Sequence, residues 1–140
     1  MARVNTKGVV IGGLLAGLII NISEAILNTA VLGAATKAAL SERNLPPVGG
    51  GAIGIFIVGA FVVGIVLVWF YAAIRPRFGP GPRTAVVAGV VVWFLAYLVP
   101  GMEIGIMSLF PAKPLAIAAV WGLVEVVLAA LAGAWCYTEA

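Results

Sequence analysis

Four apolar runs dominate the sequence, and each is long enough to cross a lipid bilayer as a helix. The hydrocarbon core of a bilayer is roughly 30 Å thick, which takes about 20 helical residues to cross. The runs cover residues 8–32, 51–74, 84–110 and 114–137. Proline and glycine stand between them, where a helix loses a backbone hydrogen bond and ends. The pattern predicts an all-α integral membrane protein, a single domain that folds as an antiparallel four-helix bundle.

The composition agrees with lipid as the main solvent. Apolar residues make up 64% of the 140-residue chain and charged residues 9%, whereas a soluble domain carries about a quarter charged residues. The basic residues are too few and too scattered for a nucleic-acid surface. Cys136 is the one cysteine and histidine is missing, which excludes internal disulfides, histidine bases and tetrahedral zinc sites. We therefore expect no metal, no cofactor and no enzymatic activity.

The distribution of basic residues predicts the orientation in the membrane, because loops rich in Lys and Arg stay in the cytoplasm. Five basic residues fall on one side of the predicted spans and three on the other: Arg3, Lys7, Arg75, Arg77 and Arg83 against Lys37, Arg43 and Lys113. Two aromatic pairs lie on the side with more basic residues: Trp69 with Tyr71, and Trp135 with Tyr137. We expect both termini in the cytoplasm.

The two Trp-x-Tyr pairs also suggest an internal repeat. Aligning them superposes the second span on the fourth, and Glu24 of the first span then pairs loosely with Glu103 of the third. A duplicated helical hairpin, with its halves related by an axis along the membrane normal, produces such a pattern. Chance matching of two aromatic pairs and one acid is the alternative.

Three glutamates, Glu24, Glu103 and Glu125, fall inside predicted spans. A charge at the centre of a membrane helix costs at least about 2.5–3.5 kcal/mol on insertion scales. At about 100° per residue, each acid shares a stripe with mostly small residues, which is the kind of face on which membrane helices approach each other. The stripes are Gly13, Gly17, Asn21, Glu24 and Asn28; Gly89, Trp93, Ala96, Pro100, Glu103 and Met107; and Ala118, Gly122, Glu125, Ala129, Ala132 and Cys136. All three acids are expected to face protein.

The three acids are also predicted to lie at similar depths. They are about 13 Å, 10 Å and 16 Å from the outer ends of their spans, at 1.5 Å rise per residue. A bundle of four helices would bring them together in its outer half, where they would hold a proton, a cation or water. The predicted binding residues are Glu24, Glu103, Glu125, Asn21 and Asn28. Two alternatives stay open: the acids hydrogen-bond between helices as structural contacts, or they face partner chains.

Three aromatic residues lie deeper than the membrane interface, namely Trp93, Tyr97 and Trp121. They either line a pocket beside the acids or pack in the core. The Gly13-x-x-x-Gly17 spacing fits a helix-dimer contact, but packing inside the chain is the more ordinary use of such a pattern in a glycine-rich span.

The segments NISE, YAAIRPRFGPGPRTA and WGLVE resemble those of small four-span inner-membrane proteins of bacteria. The resemblance implies a bacterial inner-membrane location and no particular activity. In outline the chain is also similar to small multidrug-resistance transporters, which have four short helices and a functional glutamate in the first. Glu24 is the one position that this likeness carries over. The acids of the third and fourth spans have no counterpart in that pattern.

Two functions follow as expectations. In the first, the acids bind or transport a proton or a cationic small ligand. In the second, the protein is an accessory or scaffold subunit of a larger membrane complex, and its small-residue faces dock other helices. Its expected partners are membrane lipids and either further copies of the chain or other membrane proteins.

Overall fold

A computed structural model describes residues 4–139, and the predicted all-α bundle is confirmed. The elements, in order, are α1 (Thr6–Ile26), a π-helical segment (Leu27–Val31), α2 (Gly33–Glu42), α3 (Gly50–Phe78), α4 (Pro82–Trp93), a second π-helical segment (Phe94–Leu98), α5 (Val99–Ile106) and α6 (Ala112–Cys136). Arg3, which contributed to the predicted orientation, lies outside the described residues.

Four helical stretches are long and apolar enough to cross a membrane: Thr6–Val31, Gly50–Phe78, Pro82–Ile106 and Ala112–Cys136. The third ends at Ile106, earlier than the sequence pattern suggested. Ser108 adopts a positive φ of 55°, which a helix cannot accommodate, and Pro111 follows. Helix α1, by contrast, passes through its π-helical segment with little interruption and leads into α2.

Glycines allow the helices to pack closely in one half of the bundle. Helix α1 packs against α3 and α6, and α4 packs against α6. A Cβ placed on Gly13 would lie 2.5 Å from Ile65 Cα, and one placed on Gly17 would lie 2.7 Å from Phe61 Cα. The Gly13-x-x-x-Gly17 pair therefore serves packing within the chain. Dispersion contacts at such close approach hold membrane helices together, since burial from lipid supplies no hydrophobic driving force.

Two buried tyrosines close one end of the bundle, which we call the tyrosine end. The rings of Tyr71 and Tyr137 meet edge to face with their centroids 6.0 Å apart. The hydroxyl of Tyr137 accepts a hydrogen bond from the backbone N–H of Asn5 at 3.1 Å. Arg75 lies over the Tyr137 ring at 5.6 Å and forms an ion pair with Glu139 at 3.3 Å. These contacts join α1, α3 and α6 at one level.

The turn between α3 and α4 completes the tyrosine end. Gly79 and Gly81 have φ angles of 86° and 115°, a region that side chains other than glycine rarely enter. The N–H of Gly81 donates to the Tyr71 hydroxyl at 3.2 Å, and the Thr84 hydroxyl donates to the Gly79 carbonyl at 2.6 Å. The side chain of Thr84 thus supports the turn that begins α4.

The opposite end, which we call the open end, is loosely packed. A Cβ placed on Gly50, Gly54 or Gly59 of α3 would meet nothing within 4 Å. Ile55 and Phe56 are 72% and 65% exposed. None of the residues of α5 is buried. The core residues thus concentrate toward the tyrosine end. The first half of α3 is not covered by the other helices.

Candidate functional site

Two of the three membrane glutamates lie beside each other where α1 packs against α6. The carboxyl groups of Glu24 on α1 and Glu125 on α6 are neighbours, although no hydrogen bond of regular geometry joins them. Glu125 is 3% exposed, while Glu24 is half-buried. We call these two residues the acid pair. The predicted stripes of α1 and α6 account for it, because both helices are regular up to these positions and their small-residue faces meet.

Tyr97 holds one oxygen of the buried acid. Its hydroxyl donates to Glu125 Oε1 at 3.0 Å, while the buried Glu125 Oε2 has no hydrogen bond of regular geometry in residues 4–139. The ring of Tyr97 rests on Gly122, where an added Cβ would lie 2.6 Å from Tyr97 Cδ1. Gly122 precedes Glu125 by nearly one helical turn. The missing side chain at Gly122 therefore makes room for the ring that binds Glu125.

Ser23 and Trp121 make a second polar contact between α1 and α6. The indole Nε1–H of Trp121 donates to Ser23 Oγ at 2.9 Å, and the Ser23 hydroxyl lies beside the Glu125 carboxyl. Trp93 instead donates to the Ala119 carbonyl at 2.8 Å. Of the three deep aromatic residues, Tyr97 thus contacts the acid pair directly, Trp121 contacts it through Ser23, and Trp93 ties α4 to α6.

The two predicted asparagines have different positions. The Asn28 amide donates to Glu24 Oε2 at 2.7 Å and to the Glu24 carbonyl at 2.9 Å, so it belongs to the site. The Asn21 amide donates to the carbonyls of Gly17 and Ile57, at 3.0 and 3.2 Å. Asn21 links α1 to α3 and makes no hydrogen bond to the acid pair.

Glu103 does not join the acid pair, and it does not face another helix of the chain. Its side chain is exposed on α5. No group of three or more His, Cys, Asp or Glu side chains gathers to hold a metal ion anywhere in the described chain. The cluster has two carboxyl groups where the sequence predicted three.

A π-helical segment explains this displacement. In Phe94–Leu98 the backbone hydrogen bonds span five residues, which inserts one extra residue into the helix. The predicted stripe follows Trp93 with Ala96, but Ala96 is exposed and Tyr97 turns inward instead. Every position after the insertion is rotated by about 100° from the ideal spacing. The same insertion carries Glu103 outward and brings Tyr97 to Glu125.

Within residues 4–139, no basic side chain forms an ion pair with the acid pair. The ion pair found within residues 4–139 joins Arg75 to Glu139 at the tyrosine end. From Glu125 to Trp135, which neighbours that end, is roughly 15 Å along α6 at a rise of about 1.5 Å per residue. Two adjacent carboxyl groups without a base repel each other when both are ionised. The arrangement is therefore suited to retain at least one positive charge, carried by a proton or a cation.

Comparison of the chain with protein-family models, curated proteins and solved structures gives no match. Sequence reasoning identified both acids and Asn28 but missed the role of Tyr97 as a hydrogen-bond donor. The signal in the sequence is a tyrosine deep inside an apolar run, since a buried tyrosine hydroxyl needs a polar partner.

Proposed function

We propose that the protein is a small, non-catalytic membrane protein whose acid pair binds a proton or a cationic small ligand inside the bilayer, as a step in transport. One observation carries the proposal. Glu125 is 3% exposed, lies beside Glu24, and has an oxygen, Oε2, that is buried without a regular hydrogen bond. A buried acceptor normally has a partner, and an acid in a membrane span is a functional candidate by default.

The packing around the pair favours binding over a purely structural contact. A structural carboxyl gains most when both oxygens are satisfied, but here one oxygen is bonded to Tyr97 and the other is left to Glu24 and its surroundings. The pair also lies between the tightly packed tyrosine end and the open end. Asn28, which binds Glu24, is exposed. A ligand approaching from the open end would meet Glu24 before Glu125.

We further propose a bacterial inner membrane as the location, with the tyrosine end in the cytoplasm. The basic residues Lys7, Arg75, Arg77 and Arg83 support this orientation, because they belong to the tyrosine end or to segments next to it. Lys37, Arg43 and Lys113 belong to the segments around the open end. The excess of basic residues is the feature that keeps short loops in the cytoplasm.

Binding can be tested on the protein reconstituted in lipid nanodiscs. The variants are Glu24→Gln, Glu125→Gln and the double variant, with Glu103→Gln as the matched control because Glu103 is an exposed membrane acid outside the pair. Protons are followed by infrared absorption of the carboxyl groups, and cations by equilibrium binding of tetraphenylphosphonium and of Na⁺. We expect the double variant to lose pH-dependent carboxyl absorption or cation binding that Glu103→Gln retains. Identical behaviour of all four proteins would refute the proposed function.

A second candidate function is an accessory subunit that docks other membrane helices. The observation in its favour is the uncovered first half of α3, where Gly50, Gly54 and Gly59 have open space beside them. Glycine faces let helices approach closely. Purification in a mild detergent tests this candidate. A stoichiometric partner that dissociates when Gly54 is replaced by Leu would favour it, and a homogeneous oligomer of this chain alone would oppose it.

A further inference from the structure

Two hydroxyl groups near Glu125, those of Tyr97 and Ser23, have hydrogen atoms that they can donate to it. The Tyr97 hydroxyl donates to Oε1 at 3.0 Å. The Ser23 oxygen already accepts the indole hydrogen of Trp121 at 2.9 Å, so the hydroxyl hydrogen of Ser23 is free to point at the neighbouring Glu125 carboxyl. A serine hydroxyl has one hydrogen to donate and two lone pairs with which to accept. The contact with Trp121 thus leaves the hydroxyl hydrogen of Ser23 available to the Glu125 carboxyl.

Glu24 also accepts a hydrogen bond from a polar side chain. The Asn28 amide N–H donates to Glu24 Oε2 at 2.7 Å, within the range of a charge-assisted hydrogen bond. The acid pair therefore receives hydrogen bonds from Asn28 and Tyr97, with the Ser23 hydroxyl beside it. Hydrogen bonds donated to a carboxyl group stabilise its negative form more than its neutral form. The surroundings fit a pair that retains negative charge.

A metal ion or an organic cation is poorly matched to these surroundings. Hard cations such as Na⁺ and Ca²⁺ bind clusters of oxygen lone pairs, six or more in the case of Ca²⁺. Here Tyr97 and Asn28 turn hydrogens, which carry partial positive charge, toward the carboxyl oxygens. The Tyr97 ring also occupies the space over Gly122 beside Glu125. A cation of appreciable size would have to displace it.

A single proton satisfies both requirements. One proton on the pair removes the repulsion between two carboxylates and leaves one negative charge for the donors. It also gives the unpartnered Glu125 Oε2 a partner, because a protonated Glu24 carboxyl can donate its hydrogen to that oxygen. Protonation takes one H⁺ from a hydronium ion, forms one O–H bond on the pair and releases one water molecule.

The other titratable groups of the bundle lie away from the pair. Helix α3 carries Tyr71, Arg75 and Arg77 and helix α4 carries Arg83, all near the tyrosine end. The Glu103 side chain is exposed on α5. Apart from Glu24 and Glu125, Tyr97 is the one titratable group that contacts the pair within the described residues.

From this geometry we infer that the ligand of the acid pair is one proton, shared by Glu24 and Glu125, and that Tyr97 and Ser23 fix Glu125 as the carboxyl that accepts hydrogen bonds. The inference rests on the proposed function and narrows its ligand to H⁺. It assigns Tyr97 and Ser23 as positioning residues, which act through Glu125.

Infrared difference spectroscopy during pH titration in nanodiscs tests the inference. We expect a C=O band of one protonated carboxyl group. This band should disappear or change in frequency in Glu24→Gln and in Glu125→Gln, and it should remain in Glu103→Gln. Tyr97→Phe and Ser23→Ala should each shift the frequency of this band, since each removes a hydrogen-bond donor. These two variants keep both acids, so they report on the site even if a Gln variant fails to fold.

The cation arm of the experiment separates the inference from the proposed function. Addition of Na⁺ or tetraphenylphosphonium at constant pH should leave the band of the pair in place. Release of the proton by either cation would overturn the single-proton inference while supporting the broader function. Two separately titrating carboxyl bands, each unaffected by loss of the other acid, would overturn the inference as well. If the pair showed no titrating band and the protein bound no cation, the proposed function itself would be refuted.

Discussion

Tyr97 donates a hydrogen bond to Glu125 across the contact between the third and fourth spans, with 3.0 Å between its hydroxyl oxygen and Glu125 Oε1. The tyrosine reaches this position because it lies in the π-helical segment Phe94–Leu98, and its ring finds room over Gly122. Single-turn π-helical insertions occur often at functional sites. The second such segment, Leu27–Val31, contains Asn28, which binds Glu24. Each acid of the pair is thus contacted from a π-helical segment.

Replacing Tyr97 with Phe should destabilise the bundle modestly while keeping its packing. The ring stays on Gly122, but Glu125 loses a donor. Hydrogen bonds between membrane helices contribute about 0.6–2 kcal/mol, and we expect a loss of that size in the free energy of unfolding, measured by denaturant titration in mixed micelles. Trp93→Phe, which removes a hydrogen bond to the Ala119 carbonyl, is the control. It should cost at least as much, because the smaller ring also leaves a cavity, without changing the infrared band of the acid pair.

Replacing Gly122 with Ala should disturb the acid pair from a position that carries no polar group. The new Cβ would lie 2.6 Å from Tyr97 Cδ1, so the ring must move and the hydroxyl leaves Glu125. We expect the same shift of the carboxyl band as in Tyr97→Phe. Overpacking should also lower the free energy of unfolding by about 1–3 kcal/mol.

Gly54→Ala serves as the control for Gly122→Ala, because nothing lies within 4 Å of a Cβ at Gly54. Alanine is the better helix former, so this variant should be neutral or slightly stabilising. A carboxyl band that stays unchanged in Gly122→Ala would contradict the role assigned to the packing of Tyr97.

The sequence predicts much of this fold because the membrane imposes regular helices. The four apolar runs give four spans, since backbone groups in lipid must be satisfied within helices. The stripe on α6 gives the burial of Gly122, Glu125 and Ala129 correctly, because α6 is a regular helix from Ala112 to Cys136. An angle of about 100° per residue holds along such a helix. Glu24 and Glu125 were therefore placed on the right faces.

The third span departs from this regular helical spacing. Regular spacing predicts an inward Ala96 and Glu103, whereas the structure has Tyr97 inward and Glu103 exposed. Nothing in the sequence FLAYL marks a π-helical insertion, because the insertion is stabilised by what it brings into contact. The Tyr97–Glu125 hydrogen bond and the packing on Gly122 are contacts between helices. Such contacts become visible only once the fold is known.

Replacing Gly64 with Ala should destabilise the bundle more than the same change at any other glycine of α3. A Cβ at Gly64 would collide with the Gly13 carbonyl oxygen and with the backbone of Gly17. Backbone atoms cannot turn aside as a flexible side chain can, so α1 and α3 must separate. We expect a loss of about 1–3 kcal/mol or more in unfolding free energy. Gly59→Ala on the same helix meets nothing within 4 Å and should leave stability unchanged. Equal stability of the two variants would contradict the close α1–α3 contact.

Asn5 connects the start of α1 to the segment that follows α6, and two substitutions separate its two roles. Its Oδ1 accepts from the Gly8 N–H at 3.0 Å and caps the helix, while its Nδ2 donates to the Thr138 carbonyl at 2.9 Å. Asn5→Ala loses both contacts, and Asn5→Asp keeps the cap and loses the donor. Loss of an N-cap costs about 0.5–2 kcal/mol, so Asn5→Ala should be the less stable variant by that amount. Hydrogen exchange adds a second readout: the Gly8 amide should lose protection in Asn5→Ala alone. If Asn5→Asp exposed the Gly8 amide equally, the contact with Thr138, and not the cap, would be what holds the tyrosine end together.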